Sequence, residues 1–144
     1  MFRKLIATSS VWFTLPIRLA LGAVFIGHGA GKVLGSFGGP GLAKFTSGTA
    51  PLSFMRPAWL WLGAAAIGEL VGGILVILGL LTRVGAFLIF CTMLTAVAAV
   101  HWPKFFLPAG IEFALSLLAM SLALLISGGG KASVDLTLYG SRRR

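Results

Sequence analysis

Arg18-Leu-Ala-Leu-Gly-Ala-Val-Phe-Ile-Gly-His-Gly-Ala-Gly-Lys32 is an apolar stretch that carries three ionisable side chains. Its flanks extend it to residues 11–34, enough to cross a bilayer, which takes about 20 residues. At about 100° per residue, Arg18, His28 and Lys32 fall within roughly an 80° sector of one helix face. Charge within a membrane helix is expensive, on the order of 2.5–3.5 kcal/mol per central Arg, Lys or Asp. The stripe therefore predicts partners on other helices, and the chain offers Glu69 and Glu112. These features predict an all-α fold, an integral membrane four-helix bundle around a polar interior.

Composition agrees. The chain has 144 residues, 58% hydrophobic and 10% charged, with a mean hydropathy of +1.00. A soluble domain would carry about 25% charged residues. With no Asn or Gln in the sequence, hydrogen bonding by side chains falls to Ser, Thr, Trp, Tyr and the few ionisable groups. The net charge of +9 does not mark a nucleic-acid face. The basic residues lie mostly at the ends of apolar segments, where they set topology. Cys91 is alone, which leaves no internal disulfide and no CxxC redox pair. Its simplest reading is a small packed side chain.

A single transmembrane domain is predicted over 1–144, with helices at about 11–34, 58–81, 84–102 and 111–127. Arg3 and Lys4 before an apolar run resemble a signal peptide. Arg18 interrupts that run and no clear cleavage site follows, so the first segment reads as a retained helix. Residues 35–57 form an extracytoplasmic loop rich in Gly, Ser, Thr and Pro, expected to lie in the interface or fold over the bundle as a lid. Residues 128–144 form a cytoplasmic tail. Gly27/Gly31 and Gly68/Gly72 read as helix-packing pairs.

The positive-inside rule puts both termini in the cytoplasm. Arg3, Lys4, Arg83, Lys131 and Arg142 to Arg144 then lie inside, with Lys44, Arg56 and Lys104 outside. Trp59, Trp61 and Trp102 form an outer belt, and Trp12 marks the inner face. His28, Lys32, His101 and Glu112 gather in the outer leaflet. Glu69, roughly 16 Å along its helix, lies beneath them. Arg18 lies toward the inner leaflet and would reach Glu69 only by extending. Arg83 and Asp135 share the inner boundary as a possible pair.

Arg18-Leu-Ala-Leu-Gly22…Phe25…His28-Gly29…Lys32, Gly68-Glu-Leu-Val-Gly-Gly73 and Leu78-Gly-Leu-Leu-Thr-Arg83 resemble the DoxX family of small bacterial membrane proteins. His101, Gly110-Ile-Glu112 and Gly130-Lys-Ala-Ser-Val-Asp135 extend the resemblance. It implies a four-helix bundle in the bacterial inner membrane and an association with membrane redox work. Relatives are linked to the DoxD subunit of thiosulfate:quinone oxidoreductase, others to complexes handling oxidative stress. On this reading the chain is a subunit of a quinone-linked oxidoreductase rather than a stand-alone enzyme. It would contact lipid and other membrane subunits.

Within that reading, Glu69 and His28 exchange protons at a quinone headgroup, because quinone chemistry moves protons with electrons. Lys32 and Arg18 stabilise developing negative charge. His101 and Glu112 complete the outer-leaflet polar cluster. The plainer readings are a structural ion pair at Glu69, a snorkelling Lys32 and a dipole-complementing Glu112. No GxGxxG, P-loop, HExxH or Cys-rich spacing appears, so no intrinsic cofactor or metal is expected. Two histidines at similar depth could ligate haem, but no haem motif supports this. The alternative function is a non-catalytic accessory subunit docking in a larger membrane complex. A small-molecule carrier would need matched broken helices, which the sequence does not show.

Overall fold

The computed structural model describes residues 2–106 and 110–141. Pro108 and the Arg142 to Arg144 run therefore lie outside the described residues. A short turn, α1 (Phe2–Leu5), precedes the first long helix, α2 (Thr14–Leu34). This helix starts three residues later than the expected 11–34. The Val11 carbonyl instead accepts the backbone N–H of Lys131 at 2.8 Å, so the tail uses it. Pro16 sits in the first turn, where its missing N–H has no intrahelical partner to lose. Gly35, with φ 75°, closes the other end in the left-handed conformation.

The connecting loop contains a single 3-10 turn at Ser36–Gly38 and a short helix, α3 (Gly41–Thr46). The next long helix, α4 (Ala58–Leu78), stops before the expected residue 81. Gly79 takes φ 65°, and the Leu80 N–H reaches back to the Leu75 carbonyl at 3.0 Å. That combination terminates a helix. Then α5 (Thr82–Thr95) runs into a π-helical turn at Ala96–Val100, so the segment ends just short of the expected residue 102. Between Gly110 and Gly128, α6 (Ile111–Ser127) occupies the predicted bounds. The tail is not plain coil: it carries α7 (Val134–Ser141), and the Ser133 hydroxyl accepts the Leu136 N–H at 3.1 Å.

Thr14–Leu34, Ala58–Leu78 and Thr82–Val100 are each long and apolar enough to cross a membrane. The fourth apolar helix, α6, has 17 residues. Along the chain α2 lies against α4, α4 against α5 and α5 against α6, while α6 returns to α2 through a smaller contact. Leu21, Phe25, Val76, Ile89, Leu117 and Leu124 form the shared apolar core.

Small residues bring these backbones together, as expected in a medium as apolar as the side chains. They are not all the predicted ones. On α2 the close approach to α4 is made at Gly22 and Gly29. A Cβ at Gly29 would fall 2.5 Å from the Leu70 backbone nitrogen. Gly72 does pack as expected, against Gly85 of α5, whose carbonyl would lie 3.0 Å from an added Cβ. Gly31 faces the loop at Ser36 and Gly39, and Gly27 has nothing within 4 Å of a built Cβ. The GxxxG spacing of Gly27 and Gly31 therefore does not mark a helix–helix seam.

At the terminus end, where residues 8–18 meet residues 129–132, charged side chains cap helix ends. Arg18, 1% exposed, donates to the carbonyls of Val76 (2.9 Å) and Ile77 (2.7 Å) in the last turn of α4. It also donates to the tail carbonyls of Gly129 (3.0 Å) and Ala132 (3.1 Å). Arg83 donates to Leu125 (2.6 Å) and Ile126 (2.8 Å) at the end of α6 and to Ala7 (3.2 Å). Asp135 accepts the N–H groups of Leu81 (2.7 Å) and Thr82 (2.8 Å), which open α5. The expected Arg83–Asp135 pair is thus replaced by two separate caps. Each charge meets the helix terminus of opposite partial charge, where backbone groups lack intrahelical partners. Asp135 also explains why α5 begins before the expected residue 84.

Candidate functional site

At the opposite end, where the 35–57 loop lies, the helices part around a cavity of about 780 Å³. The reason is local. Gly72 and Gly85 hold α4 and α5 in backbone contact, whereas a Cβ built at Gly68, one turn on, would meet only Leu88, at an ordinary 3.8 Å. From there the facing residues are small: Ala64, Ala65 and Gly68 on α4, and Thr92, Ala96 and Ala99 on α5 and its π turn. The π turn itself falls in the cavity wall, with the His101 N–H bonded to the Ala96 carbonyl at 3.0 Å. Such turns recur at functional sites. Phe25, Trp61, Leu117 and Phe113 give the wall its bulk, and Phe45, Thr49, Pro51 and Met55 of the loop close over it. The loop expected as a lid or an interfacial segment thus contributes directly to the cavity.

In this wall Lys32 of α2 meets Glu69 of α4. Its Nζ lies 2.6 Å from both carboxylate oxygens. The Glu69 side chain is 1% exposed and that of Lys32 is 24% exposed. The Phe45 ring lies over the ammonium, 5.2 Å from Nζ to the centroid. An ammonium has three N–H donors, and two are directed at Glu69. The pair therefore presents a strong donor and a carboxylate at the edge of an apolar space, where electrostatic interactions are stronger than in water.

His28 and His101 line the same cavity, so four of the six residues singled out from the sequence come together: His28, Lys32, Glu69 and His101. Glu112 is half-buried in the first turn of α6 and is not part of this wall. Arg18 is also elsewhere. Its α4 contact at Ile77 is eight residues from Glu69, about 12 Å along the helix, and its guanidinium is held by carbonyls. The helical stripe is real, but its two ends enter different surroundings.

Cys91 departs from the packed reading: it is exposed and lines the cavity. The hydroxyls of Thr92 and Thr95 donate to the Leu88 and Cys91 carbonyls one turn back, so they serve their own helix. The small residues Ala64, Ala65 and Gly68 stand beside Glu69 in the sequence, but sequence reasoning missed the aromatic wall and the small residues of α5 that face them. The available signal was the clustering of Ala and Gly in α4 and of Ala at the end of α5. Among the described residues no group of three or more His, Cys, Asp or Glu could hold a metal ion.

No curated protein and no solved structure significantly matches this chain. The family model described as DoxX matches residues 13–102. The match spans α2, the loop, α4, α5 and the π turn, and it includes His28, Lys32, Glu69 and His101 but stops before Glu112 and Asp135. It covers well over half of the sequence and the apolar helices that suit a bilayer, and on that ground the chain belongs to the DoxX family of membrane proteins.

Proposed function

We propose that this protein is a membrane subunit of a quinone-linked redox system that takes a quinone headgroup in the loop-end cavity. The observation that carries the reading is the Lys32–Glu69 ion pair in the apolar wall of a cavity that His28 and His101 also line. Pockets for organic ligands are mostly apolar with a few convergent polar groups. An ionisable residue within a membrane helix is a functional candidate by default.

Reduction of a quinone to a hydroquinone takes up two electrons and two protons. In this reading the electrons come from a partner subunit. Glu69 and His28 exchange the protons, and the remaining Lys32 N–H meets the oxygen on which negative charge develops. Arg18 has no role at the headgroup, because its donors are engaged at the other end of α2. The protein would span the bacterial inner membrane four times with both termini cytoplasmic. The positive-inside rule supports this, with Lys4, Arg83 and Lys131 at the terminus end. At 17 residues, α6 is at the short end of what spans a bilayer.

The competing reading is an ion pair that only fixes helix register. The test is protection of Cys91, which lines the cavity, against N-ethylmaleimide in lipid nanodiscs. The probe is a fully substituted short-chain benzoquinone, whose ring has no open position for thiol addition. Saturable protection is expected in the wild type, with the midpoint weakened about tenfold or more by Glu69→Gln and by His28→Ala. Absence of protection, or variants that match the wild type, would overturn the quinone reading.

A further inference from the structure

A second, shallower depression of about 540 Å³, open to the surface, lies on the α6 side of α2, beneath the Ser36–Gly38 turn. His28, Lys32 and Phe113 line both this cavity and the larger one, so the two spaces share a wall. From His28 the lining continues along α2 through Gly27 to Ala23, roughly 8 Å for five residues. That course is apolar, and it follows the weaker of the contacts between the long helices. Gly27 is the telling position. A Cβ built there meets nothing within 4 Å, whereas one at Gly29, on the α4 side, meets the Leu70 backbone. The missing side chain at Gly27 leaves space that no helix fills.

We propose that this groove holds the apolar tail of the ligand whose headgroup occupies the larger cavity, a long polyprenyl chain leaving between α2 and α6. The inference rests on the quinone reading and adds the tail's path. His28 and Phe113 stand at the junction of head and tail. The groove gives the site a preference for tailed over tail-less quinones through van der Waals packing of the tail along α2, since in lipid no water-to-apolar transfer drives it. It also gives the headgroup lateral access from the lipid, without passage through the loop.

The experiment compares one fully substituted quinone ring with and without a long polyprenyl tail, again by protection of Cys91 in nanodiscs. The variants are Gly27→Trp and Ala23→Trp. Ala23 is exposed on α2, so either bulky side chain fills the groove without entering the core. Thermal unfolding establishes that each variant is folded, and either one suffices as the test. The expected result is protection by the tailed quinone weakened about tenfold, as lost packing of the tail, with the tail-less quinone changed by less than about twofold. If tailed and tail-less quinones respond alike to the filled groove, the tail path is wrong and the headgroup reading stands. If neither quinone protects the wild type, the headgroup reading falls and the tail path with it.

Discussion

The two ends of the helices use their charges in opposite ways. At the terminus end, Arg18, Arg83 and Asp135 are each spent on backbone: two guanidinium groups on helix C-termini and one carboxylate on a helix N-terminus. These three side chains are engaged by backbone groups of the chain itself. At the loop end, Lys32 and Glu69 meet each other beside an open apolar space, with two histidines in the same wall. Buried charge is costly in both places, but the first arrangement closes the fold and the second leaves chemistry at a cavity. The two ends thus differ in what answers a buried charge, backbone at one and another side chain at the other.

The sharpest way to break this contrast is Arg18→Leu. It strips four short hydrogen bonds from carbonyls of α4 and the tail and should destabilise the protein by about 3–5 kcal/mol. A large drop in the thermal midpoint, with proteolysis of the tail at residues 131–141, is the expected outcome. Wild-type stability would show that the terminus end is not held this way.

A smaller effect is expected from Lys32→Met, which leaves the Glu69 carboxylate buried without its cation. We expect a loss of about 2–3 kcal/mol, partly recovered when Glu69→Gln is added. Unfolding measured across the double-mutant cycle reads the coupling directly. In the doubly substituted protein, quinone protection of Cys91 should stay lost although stability partly returns. Recovery of both together would make the pair structural, like the caps at the other end.

The mildest change is Asp135→Asn. One carboxylate oxygen becomes an amide nitrogen, so one of the N–H groups opening α5 faces a donor. The expected loss is about 1–2 kcal/mol in thermal unfolding, with quinone protection of Cys91 unchanged. A change in protection at intact stability would tie the tail to the cavity and erase the distinction between the two ends.

Much of this could be read from the residues. Long apolar runs bounded by Gly, Pro and basic residues located α2, α4, α5 and α6, because helix ends in an apolar medium must be marked by residues that stop or cap them. The intramembrane charges singled out His28, Lys32, Glu69 and His101, since few other residues could carry polar chemistry. The misreadings share one cause. The environments of Arg18, Gly27, Cys91 and the Arg83–Asp135 pair all depend on what lies opposite, which neighbouring residues do not specify. A GxxxG pair looks the same in sequence whether it faces a helix, a loop or empty space.

The sequence by itself determined an all-helical membrane chain of the DoxX type, because hydropathy, helix length and end signals are properties of neighbouring residues. The tertiary structure alone decided which charges meet. Arg18 and Lys32 share a helix face, yet one caps α4 and the other joins Glu69 at a cavity. That choice rests on where Gly29 and Gly72 let backbones close and where Gly68 and its small neighbours leave them apart, and such pairings across distant parts of the chain have no local signature.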